Sequence, residues 1–373
     1  MIGRRAELEA LRTAYESEYS EFVTLYGRRR IGKTFLVNEA FGYSFAFHCA
    51  GLKGEGMARQ LDNFRFSLRR YGHEGCPRLK SWLEAFYELE RFLERKDAGR
   101  KVVFIDEMPW MDTRKSGFLA ALEGFWNGWA TSRKDILLIA CGSATSWIVR
   151  KINRNRGGLH NRVGIRLKLS PFTLSECEEF ANERRLGYDR LNLAECYMAL
   201  GGVAYYWNQL EKGKSPGQNF DNLFFGPGDG LRLEFDELYS SLFRSPEPAY
   251  ERLCLSHIPQ IKAALGISGV HTDVYSMRAD GDATSRGAQI DLLIDRRDGI
   301  VNLCEMKFSR EEYAITKEEH GKLQNRIAAF ERIAGKNKSV HLTMVTTCGL
   351  AHNTYWNDVQ SEVVLDDLFR EVR

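Results

Sequence analysis

Glu21-Phe22-Val23-Thr24-Leu25-Tyr26-Gly27-Arg28-Arg29-Arg30-Ile31-Gly32-Lys33-Thr34 is the stretch whose reading decides the fold. Its first half is β-branched and aromatic, which predicts a buried strand. Phe35–Phe41 then predicts a helix. Gly27–Thr34 fits the phosphate-loop spacing in full, and strand–loop–helix is the context that gives the motif meaning. Gly27 and Gly32 let the backbone curl so that N–H groups face phosphate oxygens. The helix N-terminus adds partial positive charge. Lys33 is expected to reach the β- and γ-phosphates of ATP, and Thr34 to offer its hydroxyl to Mg²⁺. Arg28, Arg29, Arg30, Ile31 and Phe35 complete the expected nucleotide contact.

A second strand, Val102-Val103-Phe104-Ile105, ends in Asp106-Glu107. Asp106 is positioned to hold Mg²⁺ through its water shell. Glu107 is the candidate for polarising the attacking water. A third apolar run, Ile136–Ser143, places Ser143 at the carboxyl end of a parallel strand, where ligands bind. Thr145 and Ser146 serve equally well as caps for the next helix. From Arg150 to Lys168 the chain is densely basic, with Arg154, Arg156 and Arg162 among its charges and Gly157-Gly158 breaking it. This stretch reads as a solvated surface, as a contact to nucleic-acid phosphates, or as the source of an arginine finger, with Arg162 as the candidate. A finger implies a homo-oligomer.

These residues carry a resemblance. Ile2-Gly3-Arg4-Arg5-Ala6-Glu7-Leu8, the Arg-rich loop, Asp106-Glu107-Met108-Pro109-Trp110 and Gly201-Gly202-Val203-Ala204-Tyr205-Tyr206 resemble the prokaryotic AAA+-type ATPases called archaeal ATPases, which are close to the STAND ATPases. The resemblance spans essentially the whole chain. It implies a P-loop α/β core over 1–170 and a helical, winged-helix-like lid over 171–245. It also places Ile2, Gly3 and Arg4 near the adenine.

The middle of the chain reads as helical. Ser175-x-x-Glu178 has the capping-box pattern. Leu193, Cys196, Tyr197 and Leu200 make a core stripe that stops at Gly201-Gly202. Gly226–Gly230 predicts a turn, and Ser245-Pro246-Glu247-Pro248 a boundary.

Beyond it, Gln289–Ile294 and Val301–Phe308 predict two strands joined at Asp295–Gly299. Alternation puts Glu305 and Lys307 on one face, and a hairpin brings Asp291 alongside. Asp291 with Glu305-x-Lys307 resembles the PD-(D/E)xK nuclease superfamily, so a restriction-endonuclease-like domain is expected over 246–373. By that resemblance Asp291 and Glu305 bind Mg²⁺, Lys307 handles the attacking water, and Glu251 is the helical glutamate of the set. DNA is the implied partner. A bare ion pair on a hairpin is the alternative. Thr316-x-x-Glu319 caps a helix to about Ala334, with Leu323, Ile327, Phe330 and Ile333 inward. Lys322 and Arg326 stand off that stripe, on a solvated face or against phosphates.

The chain has 373 residues, enough for two or three cores, and a net charge of +3, so nucleic-acid binding requires local patches. Its eight cysteines form no CxxC, which fits a reducing, cytoplasmic setting. The histidines show no ligand spacing, so no histidine metal site is expected. No apolar run approaches membrane-spanning length, and no membrane partner is expected. Trp126 and Trp129 are expected in the core.

Overall fold

A computed structural model describes residues 2–96, 99–143, 145–153, 158–159, 162–225, 247–280, 287–334 and 338–372. The predictions that fall on Arg154, Arg156, Gly157, the turn at 226–230 and the boundary at Ser245-Pro246 lie outside these residues. The chain divides into two compact units, Met1–Pro171 and Phe172–Arg373.

The first unit is a parallel sheet wrapped by helices. Its elements in order are α1 (Arg5–Glu16), β1 (Glu21–Tyr26), α2 (Lys33–Ala40), β2 (Phe47–Ala50), α3 (Met57–Arg70), α4 (Trp82–Glu94), β3 (Lys101–Asp106), α5 (Phe118–Gly124), β4 (Ile136–Gly142), α6 (Thr145–Ile148) and β5 (Ile165–Lys168). The strands lie in the order β2-β3-β4-β1-β5, all parallel. Strands β3 and β4 are buried along their whole length, which is why they read as unbroken apolar runs. On one face Phe22 and Phe47 meet Phe64, Trp82, Phe86, Phe118 and Trp126 in one cluster. Trp82 packs edge-on against Phe64 and Phe118, at 5.6 and 4.8 Å between ring centroids. Each such ring removed from water contributes about 2–3 kcal/mol. α5 runs into a widened π turn, Phe125–Trp129. There Trp126 is buried, while Trp129 stays partly exposed and donates its indole N–H to Glu94 at 2.9 Å.

The second unit begins with helices: α7 (Leu174–Glu183), α8 (Arg190–Leu200), α9 (Ala204–Trp207) and α10 (Pro216–Phe220). The predicted box at Ser175–Glu178 is two residues late. Thr173 is the N-cap, and its reciprocal partner is Glu176. The extended backbone of Thr173 leaves its hydroxyl free to accept from the Glu176 N–H at 3.3 Å, whereas Ser175 is already inside the first turn. α8 ends at Gly201, as the stripe predicted. Among the described residues of 172–225 there is no strand, so the winged-helix-like segment shows no wing there.

Helices α11 (Glu247–Ser256) and α12 (Ile258–Ala264) lead into a mixed sheet. Its strands are β6 (Thr272–Ala279), β7 (Ala288–Arg296), β8 (Ile300–Lys307), β9 (Ser339–Thr346) and β10 (Ser361–Val364), in that spatial order. β6-β7-β8 are antiparallel; β8-β9-β10 are parallel, with helix α13 (Lys317–Ala334) crossing between β8 and β9. Thr316 and Glu319 cap α13 as expected, each side chain accepting from the other's backbone N–H at 3.3 Å. Leu323 and Phe330 are buried in the core formed with Leu293, Leu303 and Met344. Ile333, predicted on that face, lies in the helix's last turn and is 59% exposed.

Gly202 marks a close backbone crossing. Its carbonyl accepts from the Phe172 N–H at 2.7 Å. A Cβ at Gly202 would stand 2.0 Å from the Phe172 carbonyl oxygen, which no rotamer relieves. Gly202→Ala is therefore expected to cost at least about 2 kcal/mol and to lower the melting temperature. Gly217→Ala, where a Cβ meets open space, serves as the control and leaves the melt unchanged or slightly higher.

Candidate functional site

In the first unit β4 sits between β1 and β3, with Tyr26 level with Gly142 and Ile105 level with Ala140. The residues that follow each strand therefore emerge side by side at one sheet edge: Gly27 after β1, Glu107 after β3 and Ser143 after β4. The loop needs its glycines. A Cβ at Gly27 would lie 2.3 Å from the Leu169 carbonyl oxygen and 2.6 Å from Ile31 Cδ1. Gly32, which caps α2, has φ of 90°, and Arg30 takes φ of 66°. Left-handed residues placed in a tight turn of this kind help curl backbone N–H groups around an anion.

Lys33 is buried, and its ammonium donates to the carbonyls of Gly27 at 3.1 Å and Arg28 at 2.7 Å. Thr34 donates its hydroxyl to Asp106 Oδ2 at 2.7 Å. The other Asp106 oxygen accepts from the Glu107 N–H at 2.8 Å. Glu107 itself sits at φ 43°, an uncommon conformation for a residue with a side chain. Its carboxylate accepts from the Ser143 hydroxyl at 2.9 Å and from the Ser143 N–H at 3.3 Å. One chain of hydrogen bonds thus runs Thr34–Asp106–Glu107–Ser143, joining α2 to the ends of β3 and β4. Beneath it, burial and then the Asp106 carboxylate push the Cys141 thiol up, so it stays neutral.

The remaining predicted residues fall into three groups. Ile31 is buried, while Arg28, Arg29, Arg30 and Phe35 are exposed around the loop, Arg29 lying 5.9 Å over the Trp110 ring. Arg4 is buried: it donates to the Ser170 carbonyl at 2.7 Å and reaches the Ile31 carbonyl at 3.5 Å. Arg4 thus braces the loop from behind, with Gly3 and half-buried Ile2 just ahead of it. Arg162 is exposed and precedes β5, whose final residue Lys168 is level with Tyr26. It lies at the opposite end of the sheet from the loop, about 20 Å of chain away at strand spacing, so it does not meet this chain's own loop.

The sequence reading missed Gln60. It is buried on α3 and bonds both the N–H and the carbonyl of Leu52, at 3.0 and 2.7 Å, and the Trp110 carbonyl at 3.0 Å. It ties the loop after β2 to the turn that carries Glu107. A glutamine in a polar-looking helix face gives no sequence signal for this.

In the second unit Glu305 is buried on β8. Its Oε1 lies 3.2 Å from Lys307 Nζ, and its Oε2 accepts from Arg326 at 2.7 Å. Arg326 also donates to the Gln289 carbonyl at 2.9 Å. This corrects the expectation that Arg326 stands on a solvated face; α13 turns it toward the sheet beside Leu323. Glu305, Lys307, Tyr313, Glu319 and Arg326 line a cavity of about 160 Å³. Asp291 does not line it and accepts from the Gln289 side-chain amide at 2.8 Å. The β7–β8 ladder stops at Leu292–Cys304, one step short of pairing Asp291 with Glu305. A register shift of β7 against β6 falls at the same place, between the partners of Tyr275 and Met277. Such a bulge re-aims a side chain. Glu251 lies half-buried on α11, and its carboxylate and those of Asp291 and Glu305 do not all stand within 4.8 Å of one another. The ligand atoms of His73, Cys76 and Glu88 converge, a grouping that the spacing of the histidines along the chain did not suggest.

No protein-family model matches the chain. Over 246 residues it is 27% identical to an uncharacterized protein of Methanocaldococcus jannaschii, covering 66% of this chain and 51% of that relative. The chain thus spans about half the length of the curated relative it matches. Among solved structures it is similar to a Walker-type ATPase of Pyrococcus abyssi, with TM-score 0.48 and 17% identity over 71% of this chain and 80% of the other. It is also similar to the ORC2 protein of Aeropyrum pernix, with TM-score 0.45 and 13% identity over 72% and 76%. A STAND protein of Pyrococcus horikoshii with a tetratricopeptide repeat sensor gives TM-score 0.40 and 18% identity over 61% and 33%.

The contact under Gly27 yields a test of the loop. Gly27→Ala must displace either the Leu169 backbone or the loop itself, so binding of a fluorescent ATP analogue is expected to weaken at least about tenfold. Ser143→Ala, which removes the hydroxyl bonded to Glu107, is expected to leave that affinity within about threefold.

Proposed function

We propose that this chain binds and hydrolyses ATP. The observation that carries the reading is the Thr34–Asp106–Glu107–Ser143 chain of hydrogen bonds at the carboxyl edge of a parallel sheet, beside a glycine-bounded loop. Lys33 and the loop N–H groups are the phosphate ligands. Thr34 and Asp106 are the residues that would hold Mg²⁺, a cation that neutralises phosphate charge. Glu107 accepts a proton from, or orients, the attacking water, and Ser143 fixes the direction of its carboxylate. Lys33→Ala is expected to abolish binding. Glu107→Gln, which keeps the shape and the bond to Ser143, is expected to lower kcat by about 10²–10⁴-fold with little change in ATP affinity. Turnover of Glu107→Gln at the wild-type rate would sink this assignment.

The C-terminal sheet supports a finer reading, that ATP controls a module acting on DNA. Its α-β-β-β-α-β order and its Glu305-x-Lys307 strand agree with a nuclease-like fold. The local charges favour binding over cutting. Both Glu305 oxygens are taken by Lys307 and Arg326, while Asp291 accepts from the Gln289 amide and does not line their cavity. Metal-assisted cleavage needs carboxylates that share a cation, and here Glu305 is already compensated by two side chains. Incubation of the full chain with plasmid and Mg²⁺ or Mn²⁺, with and without ATP, is expected to show gel retardation without nicking. Nicking that disappears in Glu305→Ala would replace this reading with a metal-dependent nuclease.

A further inference from the structure

The turn between α3 and α4 gathers three ligand types that the ATP site does not use. Gly72 at φ 108° bends the chain out of α3, and the His73 N–H donates back to Leu68 at 2.9 Å. The Cys76 N–H donates to the His73 carbonyl at 3.1 Å, closing a tight turn around the two side chains. Two α3 arginines clamp this turn: Arg65 donates to the Cys76 carbonyl and Arg69 to the Glu74 carbonyl, each at 3.1 Å. Glu88 comes from α4. Its Oε2 is 2.7 Å from His73 Nε2, and its Oε1 accepts from Arg91 at 3.0 Å. The His73 ring stacks on Phe92 at 5.7 Å, which fixes its plane. The ligand atoms of His73, Cys76 and Glu88 all lie within 4.8 Å of one another, and the three residues are 7%, 3% and 6% exposed.

We propose that His73, Cys76 and Glu88 form a zinc site that ties the α3–α4 turn to α4. Imidazole, thiolate and carboxylate together suit a borderline cation that accepts nitrogen, sulfur and oxygen. Bonds of about 2.0–2.3 Å to a tetrahedral ion set ligand atoms roughly 3.3–3.8 Å apart. Entry of Zn²⁺ therefore replaces the His73–Glu88 hydrogen bond. Cys76 coordinates as the thiolate, and its proton leaves to solvent. Without a cation, burial and then the Glu88 carboxylate hold that thiol up and protonated. The ion reverses this by placing two positive charges between them. Arg91 stays on the second Glu88 oxygen and orients the carboxylate. Three protein ligands leave the fourth tetrahedral position to water.

The competing account is a His73–Glu88–Arg91 ion-pair network with Cys76 as an apolar filler. Metal titration separates the two. The full chain, stripped with a chelator, is titrated with Co²⁺, and the thiolate-to-cobalt charge-transfer absorption is followed. The expected result is saturation at about one equivalent per chain, with displacement by Zn²⁺. Cys76→Ser is expected to lose the absorption, and Cys348→Ser, which changes the exposed cysteine, to keep it. Glu88→Gln retains a hydrogen-bonding partner for His73, so it guards against misfolding as the cause. Circular dichroism is expected to show it folded, with zinc affinity lowered at least about tenfold. No absorption in the wild type, the same absorption in Cys76→Ser, or unchanged zinc affinity in folded Glu88→Gln overturns the proposal.

Discussion

The insertion of β4 between β1 and β3 is the constraint on which the first unit depends. Parallel strands in register carry their carboxyl ends to one edge, and three polar groups from distant parts of the chain arrive there together. The hydrogen bond from Thr34 to Asp106 spans this insertion, from the helix after β1 to the end of β3, at 2.7 Å. Both partners sit on rigid elements, so the geometry costs little to hold. Glu107 carries backbone strain, at φ 43°, and two bonds from Ser143 offset it.

The two carboxylate sites contrast in how their charge is met. At the loop after β1 the acidic groups are answered by hydroxyl and N–H donors. In the second unit Glu305 is answered by an ammonium and a guanidinium. Removing one of those partners would strand a buried charge, which is the costly event, while the intact pair contributes little net stability. The same motif letters, Asp and Glu-x-Lys, thus meet a different environment than their spacing suggests. The inward turn of Arg326 onto Glu305 makes the difference.

A third site was invisible for a related reason. Searching for paired histidines or paired cysteines passes over His73 and Cys76, because their third partner comes from another helix. Glu88 reads as one more acid on an amphipathic helix until α4 packs against the turn after α3.

Local chemistry alone determined the strand–loop–helix at Glu21–Ala40, the Asp106-Glu107 strand end, the Thr316 cap and the stop at Gly201. In each, the informative residues are neighbours along the chain, and steric and hydrogen-bonding rules act over a few positions. Short strands such as β2 and the exposed edge strand β6 escaped, since their patterns are brief or mostly solvated. Only the tertiary structure decided that Ser143 holds Glu107, that Gln60 and Arg4 brace the loop, that Arg326 turns inward onto Glu305, and that Asp291 bonds to Gln289. These are long-range contacts. Strand order, a one-residue bulge and the rotation of a helix set them, and none of these leaves a mark in the spacing of the residues involved.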